Sequence, residues 1–256
     1  MRFKDVFSII GPAMIGPSSS HTAGAVRIGR FARQLYAAMP QRVDVRFFGS
    51  FAATYRGHGT DVAITGGLLD WDTDDVRIPT APKQAASSGM EISFTQGKGL
   101  FSHPNTVRLL LTSEAALAPA PGTGGENKGL HSMDASGSGD GAEHESSLAV
   151  AGISIGGGNI EITEIDRFST KISGMYPTLV IRHLDWTGVI ANISAVMKRH
   201  NMNIGYMSVD RRGRNGAALT VLELDAAPDE GLLSDLRLTD SVASVHAIDL
   251  TKGSST

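Results

Sequence analysis

Small hydroxyls, a histidine and glycines stand together in Gly16-Pro17-Ser18-Ser19-Ser20-His21-Thr22-Ala23-Gly24, directly ahead of a helical periodicity that starts near Ala23. The first turn of a helix exposes N–H groups without intrahelical partners, and its dipole favours negative charge. A carboxylate or a phosphate fits such a place. Ser18, Ser19, Ser20 and Thr22 are then candidate substrate donors, and His21 is a candidate for moving a proton. The plain alternative is an ordinary Ser/Thr cap on a surface helix.

Three further loops have the same chemical flavour. Arg56-Gly57-His58-Gly59-Thr60-Asp61 precedes a short helical segment with Val62 and Ile64, which Gly66-Gly67 is read as stopping. Phe101-Ser102-His103-Pro104-Asn105 lies between an extended run ending near Phe94 and another from Thr106 to Leu111. Ser154-Ile155-Gly156-Gly157-Gly158-Asn159 joins two apolar alternations as a hairpin. A lone histidine or a glycine run is usually structural, but four such loops in one small domain point to a shared polar pocket.

These loops need rigid supports. Val43, Val45 and Phe47 alternate as a half-buried strand, and Val26, Phe31 and Leu35 share one face of the helix after the serine loop. Arg27, Arg30 and Arg33 on that helix read as a solvated face, with Arg27 near enough to its start to reach an anion. From Ala118 to Ser147 the chain is Gly-, Ser- and Pro-rich with hardly an apolar residue, which predicts a mobile excursion. His131 and His144 fall in it and are given no catalytic role. After a polar link around Arg167 to Gly174, the periodicity predicts strand, helix, strand, strand, helix, strand: the split βαβ, ferredoxin-like order.

The 256 residues, 41% hydrophobic with net charge −3, suit two modest domains. No basic field suggests nucleic acid, no run reaches membrane-spanning length, and the N-terminus lacks a long apolar stretch, so a cytoplasmic protein is expected. There is no cysteine. Disulfides, cysteine-held zinc and ordinary cysteine-held iron–sulfur clusters are thereby excluded from this chain, and no metal ligand set is assigned.

Taken in order, GPSSSHTAG, GHGTD, HPN and SIGGGNI resemble the beta chain of bacterial iron–sulfur L-serine dehydratase, of the type made from separate alpha and beta subunits. The likeness covers nearly the whole chain and is poorest in the excursion. Asp185-Trp186-Thr187-Gly188-Val189-Ile190-Ala191 followed by Asn203-Ile204 is similar to an ACT domain, a module that binds amino acids or pairs edge to edge. The resemblance implies an α+β fold. A mixed α/β serine dehydratase beta-chain domain would occupy 1–165, with 118–147 as a flexible insertion and 166–175 as a linker. A ferredoxin-like (βαββαβ) ACT domain would occupy 176–252.

The same resemblance implies conversion of L-serine to pyruvate and ammonia, with the 4Fe-4S cluster in a partner alpha subunit. Loss of water from serine needs a base for the alpha proton and a Lewis acid for the departing hydroxide. His21 and His58 are the candidate catalytic residues, Thr60 a candidate substrate contact, Asp61 a substrate contact or an orienter of a histidine, and His103 with Asn105 a second pair. In the ACT portion Gly188 and Asp185 are candidate ligand contacts, and self-association there is a further expectation. Gly188 serving only a tight turn is the structural alternative. Another class of reading makes the chain a non-catalytic amino-acid sensor with the serine loop as an effector site. A phosphate-binding enzyme is disfavoured, since no GK[ST] ending follows the loop.

Overall fold

The computed structural model describes residues 13–99, 101, 103–113 and 146–253. Ser102, His131 and His144 lie outside the described residues, as does the predicted excursion up to residue 145. A π-helical turn, Ser19–Ala23, leads into helix α1, Gly24–Tyr36. Strand β1 (Arg42–Phe48) follows, then α2 (Gly49–Thr54), α3 (Thr60–Leu68), α4 (Ala81–Ser87) and strands β2 (Glu91–Gln96), β3 (Asn105–Ser113), β4 (Ser146–Gly156), β5 (Asn159–Ile165) and β6 (Phe168–Ile172). The second half runs β7 (Thr178–Leu184), α5 (Val189–Arg199), β8 (Ile204–Arg211), β9 (Ala217–Leu224), α6 (Glu230–Arg237) and β10 (Val242–Ile248).

The first sheet has the order β2-β1-β3-β4-β5-β6. Only β1 and β2 run parallel, the other neighbours being antiparallel. Val43, Val45 and Phe47 point into a core shared with Val26, Ile28 and Phe31 of α1, as the alternation predicts. The second sheet, β10-β7-β9-β8, is antiparallel throughout and carries α5 and α6 on one face, which is the ferredoxin-like arrangement. The fold is α+β.

Three local readings are corrected. Gly66 and Gly67 do not stop α3, which runs on to Leu68. At Gly67 the glycine serves a close helix crossing. A Cβ on Gly67 would stand 2.8 Å from Arg30 N and closer still to Val26 O, and one on Gly29 would stand 2.5 Å from Ile64 O. The polar stretch read as a connection contains β6, whose Phe168, Thr170 and Ile172 point inward. The arginines of α1 are not a solvated row. Arg30 is 1% exposed and pairs with Asp70 at 3.2 Å and Asp72 at 3.1 Å. Arg27 donates to Gly158 O at 3.2 Å and Gly174 O at 2.7 Å.

The second half has a core of its own between its sheet and helices α5 and α6, but the other face of that sheet is shared with the first half. Val180, Leu219, Val221, Ile248 and Leu250 of the second half pack into the core of the first. Asp166, in the β5–β6 turn, ties the junction by accepting from Ala149 N at 2.7 Å and pairing with Arg182. Among the described residues no helix is long and apolar enough to cross a membrane.

Candidate active site

The antiparallel register explains why distant motifs meet. β1 ends at Phe48 opposite Thr106, near the start of β3, and Thr106 in turn stands opposite Ile153 near the end of β4. The loop at His103–Asn105, the Gly49–Ser50 start of α2 and the Gly156–Gly158 turn therefore lie at one end of the sheet. The serine loop reaches the same place because α1 crosses β4 closely: a Cβ on Gly24 would stand 2.7 Å from Ser154 Cβ, and nearer its hydroxyl. The GHGTD loop arrives through the α1–α3 crossing.

His21 stands at the centre. Its Nδ1 lies 3.0 Å from Ser20 Oγ and 3.4 Å from Ser18 Oγ, and its Nε2 lies 3.3 Å from Ser50 Oγ. Ser18 also caps the π-helical turn, accepting from His21 N at 3.2 Å. Hydroxyls can donate or accept, so these partners suit both the neutral ring and the imidazolium. The His58 ring packs edge-on at 4.8 Å between centroids, and Phe51 borders the other side at 5.2 Å. Burial, and secondarily the neighbouring His58, hold His21 below the usual histidine pKa of 6.5. The downward shift favours the neutral ring of His21, which is half-buried beside an exposed His58.

Asp61 lies at the first turn of α3, where its Oδ1 accepts from Val62 N at 2.9 Å. Among the described residues it makes no hydrogen bond to a histidine. Burial raises its pKa above the usual carboxylate value, against the opposing pull of that hydrogen bond and of Arg56. Thr22 and Thr60 are buried, and their hydroxyls have no hydrogen-bond partner, as is also true of Ser154. Ser19 is half-buried in the turn.

His103 and Asn105 belong to the cluster in a different manner. His103 Nδ1 accepts from Asn105 N at 3.1 Å, and Asn105 Nδ2 donates to Ser154 O at 3.4 Å. Between them, Pro104 O accepts from Ser50 N at 2.6 Å. The loop therefore fixes Ser50, and Ser50 reaches His21. Sequence reasoning passed over Ser50. Its signal was the Gly49-Ser50 pair directly after the alternation of β1, where Gly49 adopts φ +57° and a Cβ would stand 2.8 Å from Pro104 Cα.

The ACT-type positions sit apart from this cluster, in the second half. Gly188 caps α5 with φ +92°, and a Cβ there would meet open space, so backbone conformation rather than crowding accounts for the glycine. Asp185 pairs with Arg211 at 2.9 Å. Among the described residues no group of three or more acidic or histidine side chains could hold a metal ion.

The cluster can place hydroxyl donors around an anion and offer one neutral imidazole, backed by a second, for proton transfer. Comparison with known proteins identifies the family. A family model described as serine dehydratase beta chain matches residues 3–95. The chain is 41% identical over 248 residues to the "Probable L-serine dehydratase, beta chain" of Bacillus subtilis (strain 168), covering 97% of this chain and 99% of that one. It is 31% identical over 235 residues to the "L-serine dehydratase, beta chain" of Peptoniphilus asaccharolyticus, covering 91% and 93%. The "L-serine dehydratase" of Streptomyces coelicolor is 36% identical over 114 residues, which are 39% of this chain but 24% of that protein. Identity of this order along nearly the full length of both beta chains, with the His21 cluster assembled from the shared end of the sheet, places the chain in the serine dehydratase beta chain family.

Proposed function

We propose that this chain is the beta subunit of an L-serine ammonia-lyase and completes the active site of an alpha subunit that carries a 4Fe-4S cluster. The observation that supports it most directly is the His21 cluster: a neutral imidazole among three serine hydroxyls beside a helix start. The serine loop holds the substrate carboxylate, and His21 or His58 takes the alpha proton. The residues of this chain do not fit the cluster itself, since there is no thiol among the 256 residues to hold it. The cluster would supply a Lewis acid for the leaving hydroxide.

The test is expression with and without an alpha chain, assayed anaerobically for pyruvate from L-serine. The chain alone is colourless and inactive, and the pair is brown and active. In the pair, His21→Ala lowers turnover by about 10² or more, the scale of a lost general base, without bleaching the cluster. Robust deamination by this chain alone refutes the two-subunit reading. Near wild-type turnover in both His21→Ala and His58→Ala refutes the site.

A further inference from the structure

Arg27 commits both terminal nitrogens of its guanidinium to backbone. Nη1 donates to Gly158 O at 3.2 Å, and Nη2 donates to Gly174 O at 2.7 Å. The first acceptor belongs to the glycine turn at the His21 end of the sheet. The second lies between β6 and β7, where the first half of the chain passes into the second. Arg27 itself stands in the first turn of α1. Helical side chains lean toward the N-terminus of their helix, so Arg27 lies over the start of α1, from which the serine loop runs out.

The glycine turn needs such a support. Gly156, Gly157 and Gly158 follow one another at φ +94°, +61° and +76°, and a run without side chains brings no packing of its own to hold that conformation. Asn159 Nδ2 donates to Gly156 O at 3.2 Å, and Asn105 Nδ2 donates to Ser154 O at 3.4 Å. Those bonds are neutral, whereas that of Arg27 is charge-assisted and of a kind about twice as strong. A lysine could not replace it, because one ammonium lacks the planar fork that meets two carbonyls at once.

We propose that Arg27 is a positioning residue for the L-serine reaction: it fixes the glycine turn beside the serine loop and ties that placement to the seating of the second half. The role rests on the lyase reading above, in which the serine loop holds the substrate carboxylate and the glycine turn borders the same site with bare backbone. Among the described residues Arg27 makes no hydrogen bond to the His21 cluster. Its loss therefore loosens a wall of the site without altering the proton-transfer group. Substrate and transition state are weakened alike, which raises KM and leaves kcat in place.

The test compares Arg27→Met and Arg27→Lys with wild type, in the assembled pair by anaerobic pyruvate formation and in the chain alone by amide NMR. Arg27→Met should raise the KM for L-serine by about tenfold or more, as for loss of a charge-assisted hydrogen bond. Arg27→Lys, which keeps one bond, should raise it less, and carries the test if Arg27→Met fails to fold. In both, kcat and the titration of the His21 C2 proton stay as in wild type. In the chain alone, the amides of Asn159 and Met175, which share peptide groups with the two acceptor carbonyls, should shift together in Arg27→Lys. A lowered kcat at unchanged KM marks a role in stability alone and overturns the proposal. So does a displaced His21 titration, an unchanged KM in an active pair, or an amide shift on one side only. A wild-type pair inactive on L-serine refutes the lyase reading instead, and the paired amide shifts then decide by themselves whether Arg27 joins the glycine turn to the second half.

Discussion

Gly67→Ala isolates the helix crossing on which the site depends. An added Cβ would lie 2.8 Å from Arg30 N and 2.9 Å from Val26 C, with Val26 O nearer still. All three atoms are backbone of α1, so no side chain can yield and the helices must separate. Overpacking of this kind costs about 1–3 kcal/mol, while replacing glycine by alanine inside a helix recovers about 1 kcal/mol. With backbone on the opposing side the cost falls at the upper end, giving a net loss of about 1–2 kcal/mol. Gly66→Ala is the internal control. There the nearest atom is Ile78 Cγ1 at 3.2 Å, a side-chain rather than a backbone atom, and Trp71 Cε3 follows at 3.8 Å. It should be neutral or stabilising by up to about 1 kcal/mol. Urea unfolding followed by circular dichroism reads the difference as a change in midpoint. In the assembled enzyme Gly67→Ala should also reduce turnover, because α3 follows the His58 loop and the two rings now lie 4.8 Å apart. Equal stability of the two alanine variants would refute the close-crossing account.

Two other outcomes follow from the same geometry. Ser50→Ala should lower turnover of the assembled enzyme by about three- to tenfold, the worth of one neutral hydrogen bond, with Ser50→Thr restoring much of it. No change would remove Ser50 from the positioning of His21. The C2 proton of His21 should titrate below pH 6.5 in the folded chain and move partway back in His58→Ala, because burial, the larger cause, remains. The sign for stability is fixed by that shift. The unfolded chain binds a proton at His21 more readily, so the contribution is present above about pH 6.5 and is lost as pH falls toward the lowered folded value. His21→Ala should flatten that part of the stability profile, and an unaltered profile would contradict it.

The four loops were legible because each sits at a strand end or a helix start, where turn chemistry leaves its mark in the sequence. Their meeting place was not legible, since it follows from the β1–β3–β4 register, which no local pattern encodes. Gly66 and Gly67 were misread for a related reason. Isolated helices disfavour glycine, but at Gly67 the partner helix backbone passes too close for a Cβ to enter without a shift. The arginines of α1 were misread because the acids that pair with Arg30, Asp70 and Asp72, lie some forty residues away in sequence. Ser50 lacked a histidine or a hydroxyl cluster nearby in the chain. Only Pro104 O, accepting from its backbone N, reveals how firmly it is placed.

The strands of the second half announced burial without saying against what. Along β7, Leu179 and Ile181 face α5 and α6, while Val180 between them enters the core of the first half. Along β9, Leu222 and Leu224 face the helices, and Leu219 and Val221 face the other way. The same alternation that completes a ferredoxin-like core thus supplies a second apolar face. Burying Val180, Leu219, Val221, Ile248 and Leu250 contributes about 1.5–3 kcal/mol each as an upper bound. Their sum is comparable with the whole stability of a typical domain. The second half is therefore not a bead on a linker. Arg30 reinforces the join by donating to Lys252 O at 2.9 Å, while Gln34 accepts from Asp249 N at 2.9 Å. Both residues belong to α1, the helix that grows out of the serine loop. Any rearrangement that opens or closes the interface must act on α1, and through α1 on the turn that carries His21.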